Sequence, residues 1–586
     1  MKEVLDIVLN FEKVQSHLKV YPQDEKKVSA FIKEIQGDYN TKVLGAMEKL
    51  IDVSFKKLYD GVQLQSPEGF SLKETIESYH VILVPNHQSH ADYMALQYIF
   101  YKFFQVPVYI AAGKNMNIFP IGEIFKKCGA FFLRRKFDDK LYKAVFQGYI
   151  NYLLQTDKVV EFFFEGGRTR TGKLLPPRYG LFSMILEAHG QFREKKPLMF
   201  IPVSIAHEQI PEERAHAKEL GGAKKEQEST RQLLKLFGLF NKKLGTIHVR
   251  LGNGIVVNNY TDLKLKTREV AFECFKRVGK GMPITPSSLL SLILLDEPSG
   301  ALTWQQIEQS AKDIIKYCQY MNIPLTQSLE DNLENSIKLA MDIFLNNKKV
   351  ELIKRKKINK VFYSVKDDSR VYLLFHKNMI LHHFFVPTLI NYAWINIFNG
   401  RLGDKEDLIS YLKQKRIELK YEFYLPSVRE LLIESRKIIE YATDKKIENL
   451  DEVLSFDVSS MYKLAKVVSP FSTSLNYIYE GYYLGTITLI FLEKKEFDYE
   501  EYLKVAQELF EIEIDHGRVI SYRESFTVPK LQAVFDYFVK QREIMKKVGE
   551  KYKVINLTKL LNLREKFSSD ISNQVSIKLK INNEKS

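Results

Sequence analysis

Short apolar runs alternate with helical patterns between residues 80 and 260, and this alternation limits the fold more than any other feature of the chain. Six runs have the length and composition of buried strands, at residues 81–84, 108–111, 130–133, 159–164, 199–205 and 247–251. The rhythm predicts an α/β domain in which helices pack on a central sheet. Because chemistry in open α/β sheets lies at the carboxyl ends of the strands, the loops after these runs are the first candidates for a site.

The regions on either side of this domain have a different character. Residues 1–65 show helical periodicity and predict an N-terminal helical segment, followed by the α/β domain over 66–285. Residues 286–586 predict a mainly helical C-terminal region. Within it, a helix over 350–359 and a hairpin made by 361–365 and 371–375 are compatible with a unit resembling a winged helix. The polar C-terminal end, about thirty residues, is expected to fray.

Net charge restricts the class of partner. The 586 residues carry a formal charge of +15 at pH 7, with a pI near 9.2. This excess predicts an anionic partner, which is a nucleic acid, a phospholipid surface or an acidic carrier protein. The alternative is that the abundance of lysine reflects an AT-rich genome and has no functional meaning.

Cysteine usage and hydropathy indicate the compartment. Three widely spaced cysteines fit neither a disulfide framework nor a zinc pattern, so we expect a reducing environment. The first thirty residues are charged throughout and lack the apolar core of a secretory signal. No run reaches eighteen uninterrupted apolar residues, so no transmembrane helix is predicted. The aromatic-rich segment 371–398, interrupted by Lys377 and Pro387, is compatible with a helix in a membrane interface or with a core helix.

A polar loop after the first apolar run carries two histidines and an aspartate. His87 lies in the loop and Asp92 in the first turn of the next helix, so the carboxylate can fold back to accept the Nδ1 proton of His87. Nε2 would then face a cleft as a base. His90 is an alternative base, and a chance occurrence of His and Asp in one loop is the simpler explanation that this stretch alone does not exclude.

A second strand end carries a pair of arginines. The run 129–135 finishes with Arg134 and Arg135, and guanidinium groups at that position suit a phosphate. An exposed charge pair after a strand is the alternative.

A glycine-rich loop follows a third predicted strand. Its cations Arg168, Arg170 and Lys173 and the backbone amides around Gly166 are able to converge on an anion. Residues 167–173 fit half of a P-loop, but the next position lacks the Ser or Thr that would hold magnesium, so nucleotide hydrolysis is excluded. Glu165 is interpreted as an orienting partner of the arginines through salt bridges and not as a base.

Four segments taken together resemble the ordered blocks of the glycerol-3-phosphate and dihydroxyacetone-phosphate acyltransferases. They are 86–93 (NHQSHADY), 129–135 (GAFFLRR), 164–173 (FEGGRTRTGK) and 201–205 (IPVSI). The stretches 111–120, 217–226 and 375–382 extend the likeness to the larger, bacterial-type glycerol-3-phosphate branch. His376 and Lys377 depart from the Tyr-Arg-Asn run that is usual there, which puts any role of its arginine in doubt.

The resemblance implies a fold and a catalytic pair. The fold is an acyltransferase domain with a mixed central sheet flanked by helices. His87 would be the general base on the free hydroxyl of glycerol 3-phosphate, and Asp92 would fix its tautomer and stabilise the imidazolium. No serine or cysteine nucleophile is needed, and no metal or other cofactor is expected. His90 becomes a loop residue between the two catalytic positions.

The resemblance also implies binding residues. Those expected to hold or surround the phosphate are Arg134, Arg135, Glu165, Gly166, Arg168, Arg170 and Lys173. Ile201, Pro202 and Val203 would line the acyl channel, although a buried sheet strand explains them equally well. Donors for the tetrahedral oxyanion are sought in the loop 86–89 and in a loop after Pro202.

The implied reaction moves a fatty acyl group from acyl-CoA or acyl carrier protein to the sn-1 hydroxyl of glycerol 3-phosphate. The product is lysophosphatidic acid, in the first step of phospholipid synthesis. Both donors are anionic and suit a basic protein. Peripheral binding to an anionic membrane at its cytoplasmic face is expected from the lipid product.

Alternatives remain at this point. Dihydroxyacetone phosphate is the other acceptor, because no residue that distinguishes carbon 2 is identified. A non-catalytic lipid-surface adaptor is a further alternative, which the intact pair of His87 and Asp92 argues against. Nucleic-acid binding is disfavoured, because the arginines lie in strand-end loops and no stacked-aromatic RNA motif occurs.

Overall fold

The apolar run at 81–84 becomes the centre of a sheet in the computed structural model of the chain, which describes residues 2–585 except 118, 135, 193–195, 222, 224–242, 356–358, 424, 520 and 522–523. The chain divides into two units. The first comprises Met1–Thr169, Leu175–Glu212 and Lys225–Pro283, and the second Arg170–Leu174, Glu213–Lys224 and Ile284–Ser586.

The first unit is built on an eight-stranded sheet. Its strands are β1 (Gly61–Gln65), β2 (His80–Pro85), β3 (Val108–Gly113), β4 (Ala130–Leu133), β5 (Val159–Glu161), β6 (Leu198–His207), β7 (Thr246–Leu251) and β8 (Ile255–Val257). The order is β1-β7-β6-β2-β5-β3-β4, and β8 pairs with β6. Pairs from β6 through β2 and β5 to β4 are parallel, whereas β7 and β8 run antiparallel to β6. This confirms the mixed sheet.

Helices cover this sheet. They are α1 (Lys2–Leu9), α2 (Glu12–Val20), α3 (Glu25–Ile35), α4 (Thr41–Leu58), α5 (Leu72–Ser78), α6 (Ala91–Phe104), α7 (Ile121–Lys127), α8 (Lys140–Gln155), α9 (Tyr179–Gly190) and, after α10 (Glu213–Leu220) of the second unit, α11 (Leu263–Gly281). All six residues of β2 are buried, which explains a run without alternation in a strand covered on both faces. Leu83 and Val203 of the sheet share one core cluster with Leu96 and Phe100 of α6.

All six predicted strands are present, with two differences. Strands β1 and β8 were not predicted, and β1 occupies the end of the segment expected to be helical. The strand predicted over 159–164 ends at Glu161, although the amides of Phe162 and Phe164 still bond to carbonyls of β2, at 3.2 and 3.4 Å.

The second unit is mainly helical. Its helices are α10, α12 (Pro286–Leu295), α13 (Trp304–Tyr320), α14 (Gln327–Asp331), α15 (Leu333–Asn346), α16 (Arg370–Ile380), α17 (Phe385–Phe398), α18 (Lys405–Leu419), α19 (Val428–Thr443), α20 (Val458–Val468), α21 (Asn476–Phe491), α22 (Tyr499–Asp515), α23 (Val528–Lys540) and α24 (Leu557–Lys585). Strands β9 (Ala301–Thr303), β10 (Val350–Arg355) and β11 (Lys360–Val365) form an antiparallel sheet of order β10-β11-β9. A hairpin joins β12 (Met545–Val548) to β13 (Lys551–Val554).

Two predictions for this unit were wrong, and one open alternative is decided. Residues 350–355 are a strand and 371–375 lie in helix α16. The hairpin therefore pairs β10 with β11, and Asn359, just before β11, lies in the left-handed region with a φ of 47°. The C-terminal end is helical, and its buried Phe567 and Ile571 explain why it does not fray. The segment 371–398 consists largely of buried residues, so it is core.

A search of the described residues for a helix with the length and apolar character needed to cross a membrane finds none.

Candidate active site

The site is built where β2 ends and α6 begins. Asn86 fastens this loop to β6, because its Nδ2 donates to the carbonyl of Ile205 (3.0 Å) and its Oδ1 accepts from the amide of Ile205 (2.8 Å). The loop between Asn86 and Ala91 is therefore held at the carboxyl end of two adjacent parallel strands. This is the place that the sequence predicted for chemistry.

His87 and Asp92 form the predicted hydrogen bond. The Nδ1 of His87 lies 2.8 Å from Oδ2 of Asp92, which also accepts from the amides of Gln88 (2.6 Å) and Ser89 (2.9 Å). Burial alone would raise the pKa of Asp92, but hydrogen bonds from His207 and His87 hold it well below its usual value. Asp92 is therefore a carboxylate, and the imidazole that faces it carries its proton on Nδ1.

The other nitrogen of His87 is left as a base. Burial lowers the pKa of His87, and the nearby charge of Arg168 lowers it further, against the opposing effect of Asp92. The ring stacks on Phe163 with centroids 3.9 Å apart, which fixes its plane. A neutral imidazole with Nδ1 protonated presents Nε2 as a proton acceptor.

His207 is part of this site and was not predicted. It is the last residue of β6, fully buried, and its Nε2 lies 2.6 Å from Oδ1 of Asp92. Its separation of 115 residues from Asp92 left no local signal, and it lies just beyond the apolar block 201–205.

Glu165 does not form the salt bridges that were expected. Its two oxygens accept from the amides of His87 and Leu175, each at 2.9 Å, and within the described ranges it has no ion pair. Burial raises its pKa to about 8, although both amides lower it. Glu165 thus ties the catalytic loop to the glycine-rich loop, where Gly166 has a φ of 69°.

Glu212 makes a second connection that the sequence did not reveal. Its Oε2 accepts from the hydroxyl of Ser89 (2.8 Å), and its Oε1 accepts from the amide of His90 (2.9 Å) and from Nη1 of Arg168 (3.3 Å). Arg168 is therefore the predicted cation that the structure places beside His87. His90 bonds to Tyr93 through Nδ1 (3.2 Å), as a loop residue would.

Arg134 has a different partner in this structure. Its guanidinium forms a two-pronged ion pair with Glu34, both distances being 2.8 Å, and lies 4.1 Å from the ring centre of Tyr142. A phosphate at this position would have to compete with Glu34. Arg135 lies outside the described residues.

Two predicted cations belong to the second unit. Arg170 pairs with Glu219 at 2.8 Å, and Lys173 pairs with Glu422. Gly172 adopts φ 79°, and a Cβ there would lie 2.0 Å from the carbonyl oxygen of Phe375. This loop therefore requires glycine because it presses on the backbone of α16.

The candidate oxyanion donors are engaged. The amides of residues 86–89 all bond within the first unit, to Val203, Glu165 and Asp92. The prediction of a loop after Pro202 was wrong, since β6 continues to His207. Ile201, Pro202 and Val203 are buried in this strand, which gives them a core position, and a role in an acyl channel stays a prediction.

The arrangement has the elements of proton abstraction by an imidazole. A base, an anchoring carboxylate and one adjacent arginine lie together, and the described residues contain no group of three or more His, Cys, Asp or Glu side chains arranged to hold a metal ion.

Comparison with known families gives two matches. Residues 216–547 match the model described as the glycerol-3-phosphate acyltransferase C-terminal region, and residues 70–206 match the model described as acyltransferase.

Three similar proteins, all named glycerol-3-phosphate acyltransferase, illustrate the range of likeness. The chain is 29% identical over 587 residues to that of Haemophilus influenzae strain PittEE, covering 96% of this chain and 69% of that protein. It is 30% identical over 389 residues to that of Pasteurella multocida strain Pm70 (63% and 47% covered). It is 32% identical over 394 residues to that of Actinobacillus pleuropneumoniae serotype 3 strain JL03 (63% and 46% covered).

Proposed function

Because the chain belongs to the glycerol-3-phosphate acyltransferase family, we propose that it is an enzyme that transfers an acyl group from a thioester to a hydroxyl of glycerol 3-phosphate. The observation that carries the proposal is the hydrogen bond of 2.8 Å between His87 and the buried carboxylate of Asp92. A neutral, oriented imidazole is the base that a free alcohol needs in order to attack a thioester.

The chemistry follows from this base. Nε2 of His87 takes the hydroxyl proton as the oxygen attacks the thioester carbonyl, and Asp92 stabilises the imidazolium that forms. Collapse of the tetrahedral intermediate breaks the C–S bond, leaves an ester, and returns the proton to the thiolate. A cysteine nucleophile is disfavoured, since burial raises the pKa of Cys128 to about 11.

Arg168 is the best supported cation for the substrate phosphate or for the developing oxyanion. Its ion pair with Glu212 holds it next to the loop of His87, and a guanidinium at this position suits an anion. Arg134, Arg135, Arg170 and Lys173 remain proposed contributors, as do Ile201, Pro202 and Val203 for the acyl chain.

The finer details are proposals as well. Attack by the sn-1 hydroxyl, acyl-CoA or acyl carrier protein as the donor, and the absence of a metal or other cofactor follow from the family resemblance. Peripheral attachment to an anionic membrane at its cytoplasmic face is supported by the net charge of +15. Protein that stays in solution with anionic vesicles at low salt would refute this attachment.

The test is an acylation assay with purified protein, a labelled long-chain thioester on coenzyme A or on carrier protein, and anionic lipid. We expect transfer to glycerol 3-phosphate that falls by about 10²- to 10⁴-fold in His87→Ala. His90→Ala is the matched control from the same loop and should retain most of the activity. A preference for dihydroxyacetone phosphate would mean that this compound, and not glycerol 3-phosphate, is the acceptor. No transfer to either acceptor would favour a lipid-surface adaptor.

A further inference from the structure

The carboxylate of Asp92 bridges two imidazoles. Oδ2 accepts from Nδ1 of His87 at 2.8 Å, and Oδ1 accepts from Nε2 of His207 at 2.6 Å. Both contacts are shielded from solvent, since Asp92 and His207 are fully buried. A carboxylate with a donor on each oxygen cannot rotate without losing one of them, and each loss is costly in a buried setting.

Within the part of the chain that the structure describes, the side chain of His207 makes no hydrogen bond other than the one to Asp92. Its Nδ1 is buried without a hydrogen-bond partner among the described residues, and its ring centroid lies 6.4 Å from that of Tyr59. With Asp92 ionised, Nε2 of His207 is the donor in this contact. The side chain therefore acts on the site through Asp92.

We propose that His207 is a positioning residue: by donating Nε2–H to the second oxygen of Asp92, it fixes the carboxylate opposite His87 and takes up part of the negative charge that Asp92 presents to Nδ1 of His87. This inference rests on the proposed function only for its kinetic consequence. The role is that of a hydrogen-bond donor and requires no change in the charge of His207.

Several groups act on His87 besides this pair. Burial has the largest influence and lowers its pKa, Arg168 also lowers it, and the charges of Asp92 and Glu212 raise it. Tyr59, which faces His207, stays a neutral phenol because burial raises its pKa well above the usual value. Loss of the donor on Oδ1 would leave the charge of Asp92 opposed by fewer partners, so Asp92 would attract the imidazolium of His87 more strongly.

The experiment compares two substitutions at this position. His207→Phe keeps an aromatic ring and removes the donor, whereas His207→Gln places an N–H at nearly the position of Nε2. We expect the acid limb of the pH profile of kcat/KM to move upward by about one unit in the Phe variant, with KM unchanged, and to stay at the wild-type position in the Gln variant. His189→Phe is the matched control, because His189 is also fully buried in the first unit, where its Nε2 lies 2.8 Å from the carbonyl oxygen of Lys196.

A second readout does not depend on activity. In protein labelled at histidine Cε1, the NMR titration of His87, assigned by its loss in His87→Asn, should show the same upward shift in His207→Phe. An unchanged titration in the Phe variant, or an equal shift in the Gln variant, would overturn the proposal. If the wild type transfers no acyl group, the proposed function fails while the titration still decides the role of His207.

Discussion

Asp92 in the first unit and Glu422 in the second are both carboxylates shielded from solvent, and each has a pKa below its usual value, but the donors that surround them differ. Asp92 is held by two imidazoles and two backbone amides. Glu422, whose side chain is 3% exposed, is held by the ammonium groups of Lys173 and Lys530. One anion is stabilised by imidazoles and amides and the other by ammonium groups.

The different donors distinguish the candidate active site around Asp92 from the packed core around Glu422. With imidazoles and backbone amides around it, Asp92 keeps its charge available for an imidazolium that forms during a reaction. Glu422 already has two cationic partners, and burial with the neighbouring lysines lowers the pKa of Lys530 to about 7, although Glu422 opposes this. A buried carboxylate held by imidazoles can stabilise a charge that forms in a reaction, whereas one held by ammonium groups already has its counter-ions in the folded state.

The largest effect is expected from Asp92→Asn. The substitution puts an amide N–H₂ group where the imidazoles and backbone amides need an acceptor, and it reverses the preferred tautomer of His87. Acyl transfer should therefore fall by about 10³- to 10⁴-fold. Steady-state kinetics measures this loss, with circular dichroism to confirm folding. Activity within tenfold of wild type would show that the charge of Asp92 is not used and would remove the contrast with Glu422.

Glu422→Gln tests the other side of the comparison through stability. The substitution leaves Lys173 and Lys530 buried without their counter-ion, and breaking a buried pair in this way costs about 3–5 kcal/mol. Urea unfolding monitored in the second unit should show the loss. Glu308→Gln, which breaks the exposed pair with Lys312, is the matched control and should leave the midpoint nearly unchanged. An equal effect of the two substitutions would contradict the prediction.

Glu161→Gln should have the smallest effect. Glu161 is fully buried at the end of β5, its oxygens have no partner within the described part of the chain, and burial raises its pKa well above the usual value, with Asp92 adding to the shift. A raised folded-state pKa favours folding below the unfolded value near 4.5, and this contribution is lost as pH rises. The Gln variant should therefore be close to the wild type in stability near pH 4.5 and become progressively more stable than the wild type as pH rises toward 8.

Thermal unfolding of both proteins across this pH range measures how the stability difference grows. A difference that is independent of pH would mean that Glu161 does not hold its proton in the folded state, and that the first unit tolerates a second carboxylate near Asp92.

Prediction from sequence succeeded where the signal was local. The strand 81–84 and the helix after it were visible as an apolar run and a helical period, and both are present as β2 and α6. Prediction failed where neighbours decide. Residues 350–355 show no alternation of burial, with only Val350 buried, so their pairing with β11 and not their own pattern makes them a strand.

The sequence alone predicted the hydrogen bond between His87 and Asp92, because they are five residues apart and one loop and one helical turn bring them together. Only the tertiary structure showed that Glu165, His207 and Glu212 meet this loop from 78, 115 and 123 residues away. It also showed that Arg134 forms an ion pair with Glu34, which lies 100 residues earlier in the chain. A side chain's ionic or hydrogen-bond partner depends on which strands lie side by side. The spacing of residues along the chain does not predict the order of strands in a sheet.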